Sequence, residues 1–116
     1  MKKVYFLSTC NTCQKIMTGL GAKLDDFVKQ DIKHEKMTFD QIDEMKSLAG
    51  SYVSIFSKRS MKYRAWGLNE KELTEEEMRG LIEKEYTFLK RPVFIVDDQI
   101  FVGNSKKVVE ELSAAL

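Results

Sequence analysis

The residues best placed to do chemistry are Cys10 and Cys13, in the run Thr9-Cys10-Asn11-Thr12-Cys13. They are the only two cysteines in 116 residues. A short apolar run, Val4 to Leu7, precedes them and a helical pattern follows, so the pair falls where a strand hands over to a helix. Exposed N–H groups and the positive dipole end of a helix start stabilise a thiolate at Cys10, lowering its pKa below the free value of about 8.5. Cys13, three residues on, is within reach of a mixed disulfide on Cys10 and able to resolve it. The spacing permits an internal disulfide without requiring one. Structural zinc normally takes four protein ligands, and this chain offers no third cysteine. Its one histidine, His34, stands among Lys33, Glu35 and Lys36 in what reads as a solvated turn. Neither a metal ion nor a catalytic role for His34 is expected.

Two basic stretches come next. In Lys58-Arg59-Ser60-Met61-Lys62-Tyr63-Arg64 most side chains read as a solvated helix face, but Arg59 and Arg64 are candidates for fork-like, bidentate recognition of an oxyanion near the thiolate. In Lys90-Arg91-Pro92 the only proline of the chain stands before an apolar strand. It reads either as an ordinary strand-initiating proline or as a cis peptide that sets backbone beside Cys10 and presents Arg91 to a bound anion. An X-Pro bond is cis in only about 5–6% of cases, so the residues alone leave both readings open. Thr9, Asn11 and Thr12, which flank the thiol, together with Arg64 and Pro92, are the expected substrate-contacting positions.

The elements that must hold these residues follow from the hydrophobic pattern. Val4–Leu7 predicts a first strand, 11–22 a helix with Ile16, Met17 and Leu20 on one face, and Phe27–Ile32 a second strand. Thr38 with Gln41, and Thr74 with Glu77, are capping-box patterns that open helices. Gly50 ends the first of these, and the segment from Ser54 to about Arg64 also reads as helical. Val93–Val96, a turn at Asp97-Asp98 and Ile100–Val102 predict a hairpin, and Ser105 caps a last helix with Val108, Val109, Leu112 and Leu116 inward. The order is β-α-β, a helical middle, then β-β-α, in one domain over 1–116 with a helical insertion at about 38–88.

Composition narrows the class. An apolar fraction of 43% supports a core without a disulfide or metal staple. Nineteen basic residues against eighteen acidic ones leave a net charge of +1, which argues against direct nucleic-acid binding. The apolar run after Met1 is too short for a secretory signal, and no run approaches the roughly 20 residues of a membrane span. A cytoplasmic protein without membrane association is expected, where disulfides tend to be transient and catalytic.

The pattern resembles the arsenate reductase/Spx family, the ArsC-type branch of the thioredoxin superfamily, over nearly the whole chain. The matching residues are Val4-Tyr5-Phe6 leading into Cys10-Asn11-Thr12-Cys13-Gln14-Lys15, then Ser57-Lys58-Arg59-Ser60, Leu89-Lys90-Arg91-Pro92-Val93, and Val102-Gly103. The resemblance implies an α/β thioredoxin-like fold with a mixed four-stranded sheet and an inserted all-helical region. It implies Cys10 as nucleophile, Arg59 as an anion-binding arginine on the inserted helix, and Arg91 before a cis Pro92. Arsenate reductases carry one cysteine in this loop and a third arginine after the last strand; here Cys13 is added and Gly103-Asn104 stands at the arginine's place. The implied activity is a thiol oxidoreductase acting on a small oxyanion or a disulfide. Cys13, glutathione, glutaredoxin or thioredoxin would complete the cycle, and no tightly bound cofactor is implied. The alternative is an Spx-like redox-sensing regulator that binds the RNA polymerase α subunit.

Overall fold

The computed structural model describes all residues, 1–116. In chain order the elements are β1 (Lys2–Phe6), α1 (Asn11–Leu20), β2 (Val28–Asp31), α2 (Phe39–Ala49), α3 (Met61–Ala65), α4 (Glu75–Lys84), β3 (Val93–Val96), β4 (Gln99–Val102) and α5 (Lys106–Ala115), with 3₁₀ turns at Gly21–Leu24, Leu68–Glu70 and Tyr86–Phe88. They form two compact units, residues 1–35 with 91–116, and residues 36–90. No helix is long and apolar enough to cross a membrane.

The first unit is built on one sheet in the order β2-β1-β3-β4. β1 pairs parallel with β2 and antiparallel with β3, and β3 pairs antiparallel with β4. This is the mixed four-stranded sheet of the thioredoxin-like α/β class that the resemblance implied. β3 reads Val-Phe-Ile-Val and every one of its side chains is buried, as a central strand demands. Alternation along the strands puts Val4, Phe94 and Val96 into one cluster with Leu20, Leu24, Phe27 and Leu112. Phe27 meets Phe94 edge-on, with ring centroids 6.0 Å apart. Phe27 had been expected inside β2; instead its N–H donates to the Leu24 carbonyl in a turn, and its ring fills the core. β1 begins two residues earlier than the apolar pattern predicts, because Lys2 and Lys3 pair through their backbones with Val96 and Ile95. The hairpin closes at Asp97, whose φ of 56° is a left-handed value that aspartate tolerates. The Asp97 carboxylate also takes the α-amino group of Met1 at 2.8 Å.

The second unit holds α2, α3 and α4. Both capping boxes form: Thr38 accepts the Gln41 N–H and Thr74 the Glu77 N–H, with each partner side chain returning a bond. Gly50, at φ 100°, ends α2 in the left-handed conformation. Arg79 of α4 grips Asp43 of α2 through two bonds, Nε to Oδ1 at 2.7 Å and a terminal nitrogen to Oδ2 at 3.0 Å. Those bonds, with one from the Tyr52 hydroxyl, hold the Asp43 carboxyl down at about 2.

One expectation fails here. Ser54 to Arg64 is not a helix: only Met61–Ala65 is helical, and the residues before it form turns. Burial explains the difference. Ile55 and Phe56 are buried, and Phe56 makes an isolated antiparallel bridge with Leu89. The Lys90 N–H donates to Ile55 and the Ser57 N–H to Phe88, so these backbone groups are committed to another strand-like segment. Stacking of Phe56 on Phe88 at 5.3 Å holds the arrangement. Lys62, read as part of a solvated face, pairs with the nearly buried Glu85 at 3.0 Å.

Leu112 is the one buried side chain of α5. Leu112→Ala is expected to destabilise the protein by about 3 kcal/mol, the usual scale for an emptied core leucine, read as a lower urea midpoint at unchanged slope.

Candidate functional site

The site begins with how β1 ends. The last parallel rung is the Ile32 N–H donating to the Phe6 carbonyl at 2.9 Å. The chain then turns: the Cys10 N–H donates back to the Leu7 carbonyl at 3.0 Å, closing a tight turn over Ser8 and Thr9. Cys10 emerges in extended conformation, φ −93° and ψ 110°, as the N-cap of α1. Its carbonyl accepts the Gln14 N–H at 3.1 Å, and its sulfur faces the Cys13 N–H at 3.5 Å. The sulfur thus stands where a serine or aspartate oxygen caps most helices.

Burial separates the two cysteines. Cys10 is partly exposed, while Cys13 is fully buried, and both are free thiols. Partial burial works against a charge on Cys10. Hydrogen bonds from the Cys13 N–H and thiol outweigh it, helped by the positive Arg91 and the Thr12 N–H, and the pKa lies below the ordinary thiol value. Burial pushes the Cys13 thiol the other way, up to about 12; the Cys10 sulfur adds to this, while a backbone hydrogen bond from Leu7 and the charge of Arg91 oppose it. The pair is therefore polarised: the Cys10 thiol ionises more readily than an ordinary thiol and the Cys13 thiol less readily.

Arg91 and Pro92 enter β3 immediately before Val93, which pairs with Tyr5 of β1. The Arg91–Pro92 peptide is cis. The Pro92 carbonyl accepts the Gly103 N–H at 2.9 Å, and the Asn104 side-chain amide donates to the Arg91 carbonyl at 3.2 Å. Gly103 and Asn104, where the resemblance set the missing third arginine, thus bond the backbone of the Arg-Pro turn. Thr9, Asn11 and Thr12 are exposed around Cys10. The first unit accordingly gathers Cys10, Cys13, Thr9, Asn11, Thr12, Arg91 and Pro92. Arg59 and Arg64 belong to the second unit and are exposed. Arg64 is on α3, but Arg59, expected on a helix, lies in the turn before it, with its N–H on the Ser57 hydroxyl at 3.3 Å. No group of three or more histidine, cysteine or carboxylate side chains is arranged to hold a metal ion.

Reading the sequence missed three residues of the loop's frame. Asp31 at the end of β2 accepts the Ser8 N–H at 3.2 Å, and the Gln14 amide donates to the Ser8 carbonyl at 3.1 Å. An aspartate closing a strand opposite a polar Ser-Thr turn was the available signal, but it becomes legible only once the register is known.

A profile of the ArsC family matches residues 5–112. Among curated proteins, the global transcriptional regulator Spx 2 of Bacillus cereus is 23% identical over 109 residues, covering 93% of this chain and 83% of its own. The regulatory protein MgsR of Bacillus subtilis is 24% identical over 110 residues, covering 94% and 87%. Among solved structures, an arsenate reductase from Vibrio cholerae superposes with a TM-score of 0.80 over 99% of this chain and 97% of its own; at 10% identity that likeness speaks for the fold alone.

Thiolate absorbance near 240 nm followed against pH is expected to give a first ionisation below the free-thiol value and a second well above it. Iodoacetamide at pH 7 should label Cys10 and spare Cys13, as peptide mass mapping would read. Equal labelling of the two would contradict the polarised pair.

Proposed function

The chain belongs to the ArsC family, and on that premise we propose that it is a thiol-dependent oxidoreductase in which Cys10 is the nucleophile and Cys13 the resolving thiol. The observation that carries this reading is the opposite setting of the two sulfurs. One is partly exposed with a lowered pKa, and the other is buried with a pKa of about 12.

With a disulfide substrate, the Cys10 thiolate attacks one sulfur, forms a mixed disulfide and releases the other half as a thiolate. Cys13 then loses its proton and attacks the Cys10 sulfur, forming the Cys10–Cys13 disulfide and releasing the second half as thiolate. Two electrons have passed from protein to substrate, and glutathione, glutaredoxin or thioredoxin returns them. The order of events is built into the pair. While Cys10 is an anion, its charge and its hydrogen bond hold the Cys13 proton in place. Once Cys10 is bonded to substrate that charge is gone, and Cys13 deprotonates more readily at the moment it is needed. An oxyanion such as arsenate would enter by the same two displacements. The Cys10 thiolate bonds the central atom as one oxygen leaves, protonated, as water. Attack of the resolving thiol on the Cys10 sulfur then breaks the new sulfur–arsenic bond, its electron pair staying on arsenic, which departs as arsenite while the Cys10 disulfide forms. Arg91, whose charge already reaches both sulfurs, would offset the substrate's negative charge. Thr9, Asn11, Thr12 and Pro92 would border the substrate.

A second reading draws on the curated relatives, a global transcriptional regulator and a regulatory protein among them. There the same pair would act as a sensor, with the RNA polymerase α subunit as partner and the disulfide as the switched state.

NADPH consumption coupled through glutathione with glutaredoxin, and separately through thioredoxin, tests the enzyme with arsenate and with a small disulfide. Cys10→Ser is expected to abolish turnover with whichever substrate is reduced. Cys13→Ser should stop the thioredoxin-coupled reaction while an external thiol sustains the other. Full activity in Cys10→Ser would overturn the proposal. No turnover in either couple, with oxidation-sensitive capture of the polymerase α subunit, would favour the regulator.

A further inference from the structure

Cys10 can act as described only if its loop is held in the N-cap conformation, and the sheet alone does not hold it. β1 and β2 part after the Ile32–Phe6 rung, because β2 leads into a turn in which the N–H groups of His34 and Glu35 both donate to the Asp31 carbonyl. The Ser8 N–H, next in line along the ladder, has no strand carbonyl to meet. It donates instead to the Asp31 carboxylate at 3.2 Å. Although partial burial works the other way, the Ser8 side chain and N–H help to hold the Asp31 carboxyl below the usual carboxylate range. The same carboxylate oxygen accepts the Lys33 N–H at 3.2 Å, so the Asp31 side chain is fixed from its own turn while it fixes Ser8. On the other side of Ser8 the carbonyl is taken by the Gln14 amide from the first turn of α1. Ser8 is the first of the two residues over which the Leu7–Cys10 turn closes. Both faces of its peptide region are therefore clamped, one to the end of β2 and the other to the helix that Cys10 caps.

We propose that Asp31, with Gln14 as its counterpart across the loop, is a positioning residue for the Cys10 thiolate: by clamping Ser8 it holds the sulfur against the Cys13 N–H. The inference rests on the reading of Cys10 as the low-pKa nucleophile. It separates cleanly from two simpler roles for Asp31. A bare negative charge near the thiol would disfavour the thiolate, so removing it would make Cys10 more reactive; positioning predicts the opposite sign. A merely structural aspartate would change stability and leave the thiol's ionisation where it was. His34, 3.8 Å from Asp31 and largely exposed, and Lys33 on the same turn are the neighbouring basic side chains; neither supplies the clamp, which needs an acceptor on Asp31.

The experiment uses the full chain carrying Cys13→Ser, so that a single thiol is read. Its pKa is taken from absorbance near 240 nm, and its rate of alkylation by iodoacetamide at pH 7 is measured beside it. Asp31→Ala is expected to raise the Cys10 pKa and slow alkylation by roughly fivefold, the scale of one lost hydrogen bond at a helix cap. Asp31→Asn, which keeps the acceptor oxygen and loses the charge, should restore a rate within about twofold of the parent. Gln14→Ala, a change at an exposed side chain, covers the case in which Asp31→Ala fails to fold, and should slow alkylation in the same direction. Unchanged or faster alkylation in folded Asp31→Ala, or in Gln14→Ala should the former not fold, would overturn the inference. A parent protein whose Cys10 titrates at or above the free-thiol value would instead overturn the reading beneath it.

Discussion

A helix that begins on a sulfur is the constraint from which the rest of the site follows. The first turn of any helix leaves N–H groups unsatisfied, and here one of them faces Cys10 Sγ at 3.5 Å. A thiol is a weak acceptor and a thiolate a strong one, so the helix gains by ionising its own cap. That one contact couples fold to reactivity. It also couples the two cysteines, since the N–H that favours charge on Cys10 belongs to Cys13, the residue whose ionisation that charge opposes.

Everything around the contact serves to keep it in place. The buried strand β3 and the antiparallel pairing of β1 fix the floor of the loop. The Arg-Pro turn that feeds β3 brings the charge of Arg91 to bear on both sulfurs, and Gly103 and Asn104 bond the carbonyls of that turn. On the far side α1 is anchored by Leu20 in the same cluster that holds Leu112 of α5. The capping boxes and the Asp43–Arg79 pair organise the second unit by independent means. Among these, the exposed ion pairs add little to stability, while the buried apolar clusters carry most of it.

The parts of the fold legible in the sequence were those written in local chemistry. Thr38 with Gln41 and Thr74 with Glu77 marked helix starts because both halves of a capping box lie within four residues. The Val93–Val96 run and the Asp97-Asp98 turn marked the hairpin for the same reason. Ser54–Ser60 misled, since its polar and basic residues suit a solvated helix while Phe56 is drawn against Phe88 and Leu89, and the Ile55 carbonyl takes the Lys90 N–H, all more than thirty residues away. The site divides along the same line. Cys10 and Cys13 were visible from spacing, and the resemblance pointed to Arg91 and Pro92. Asp31 and Gln14 were not visible as partners of Ser8, because a side chain that replaces a missing ladder rung is recognised only where the strands part.

The central claim is that Cys10 attacks and Cys13 resolves. The most direct measurement is intact mass after a single turnover with a small aromatic disulfide, taken on the parent chain and on Cys13→Ser. The account predicts a stable adduct mapped to Cys10 in Cys13→Ser. In the parent it predicts no lasting adduct, but a loss of about two mass units as the internal disulfide forms by exchange. An adduct that persists on the parent protein, or one that maps to Cys13, would contradict it.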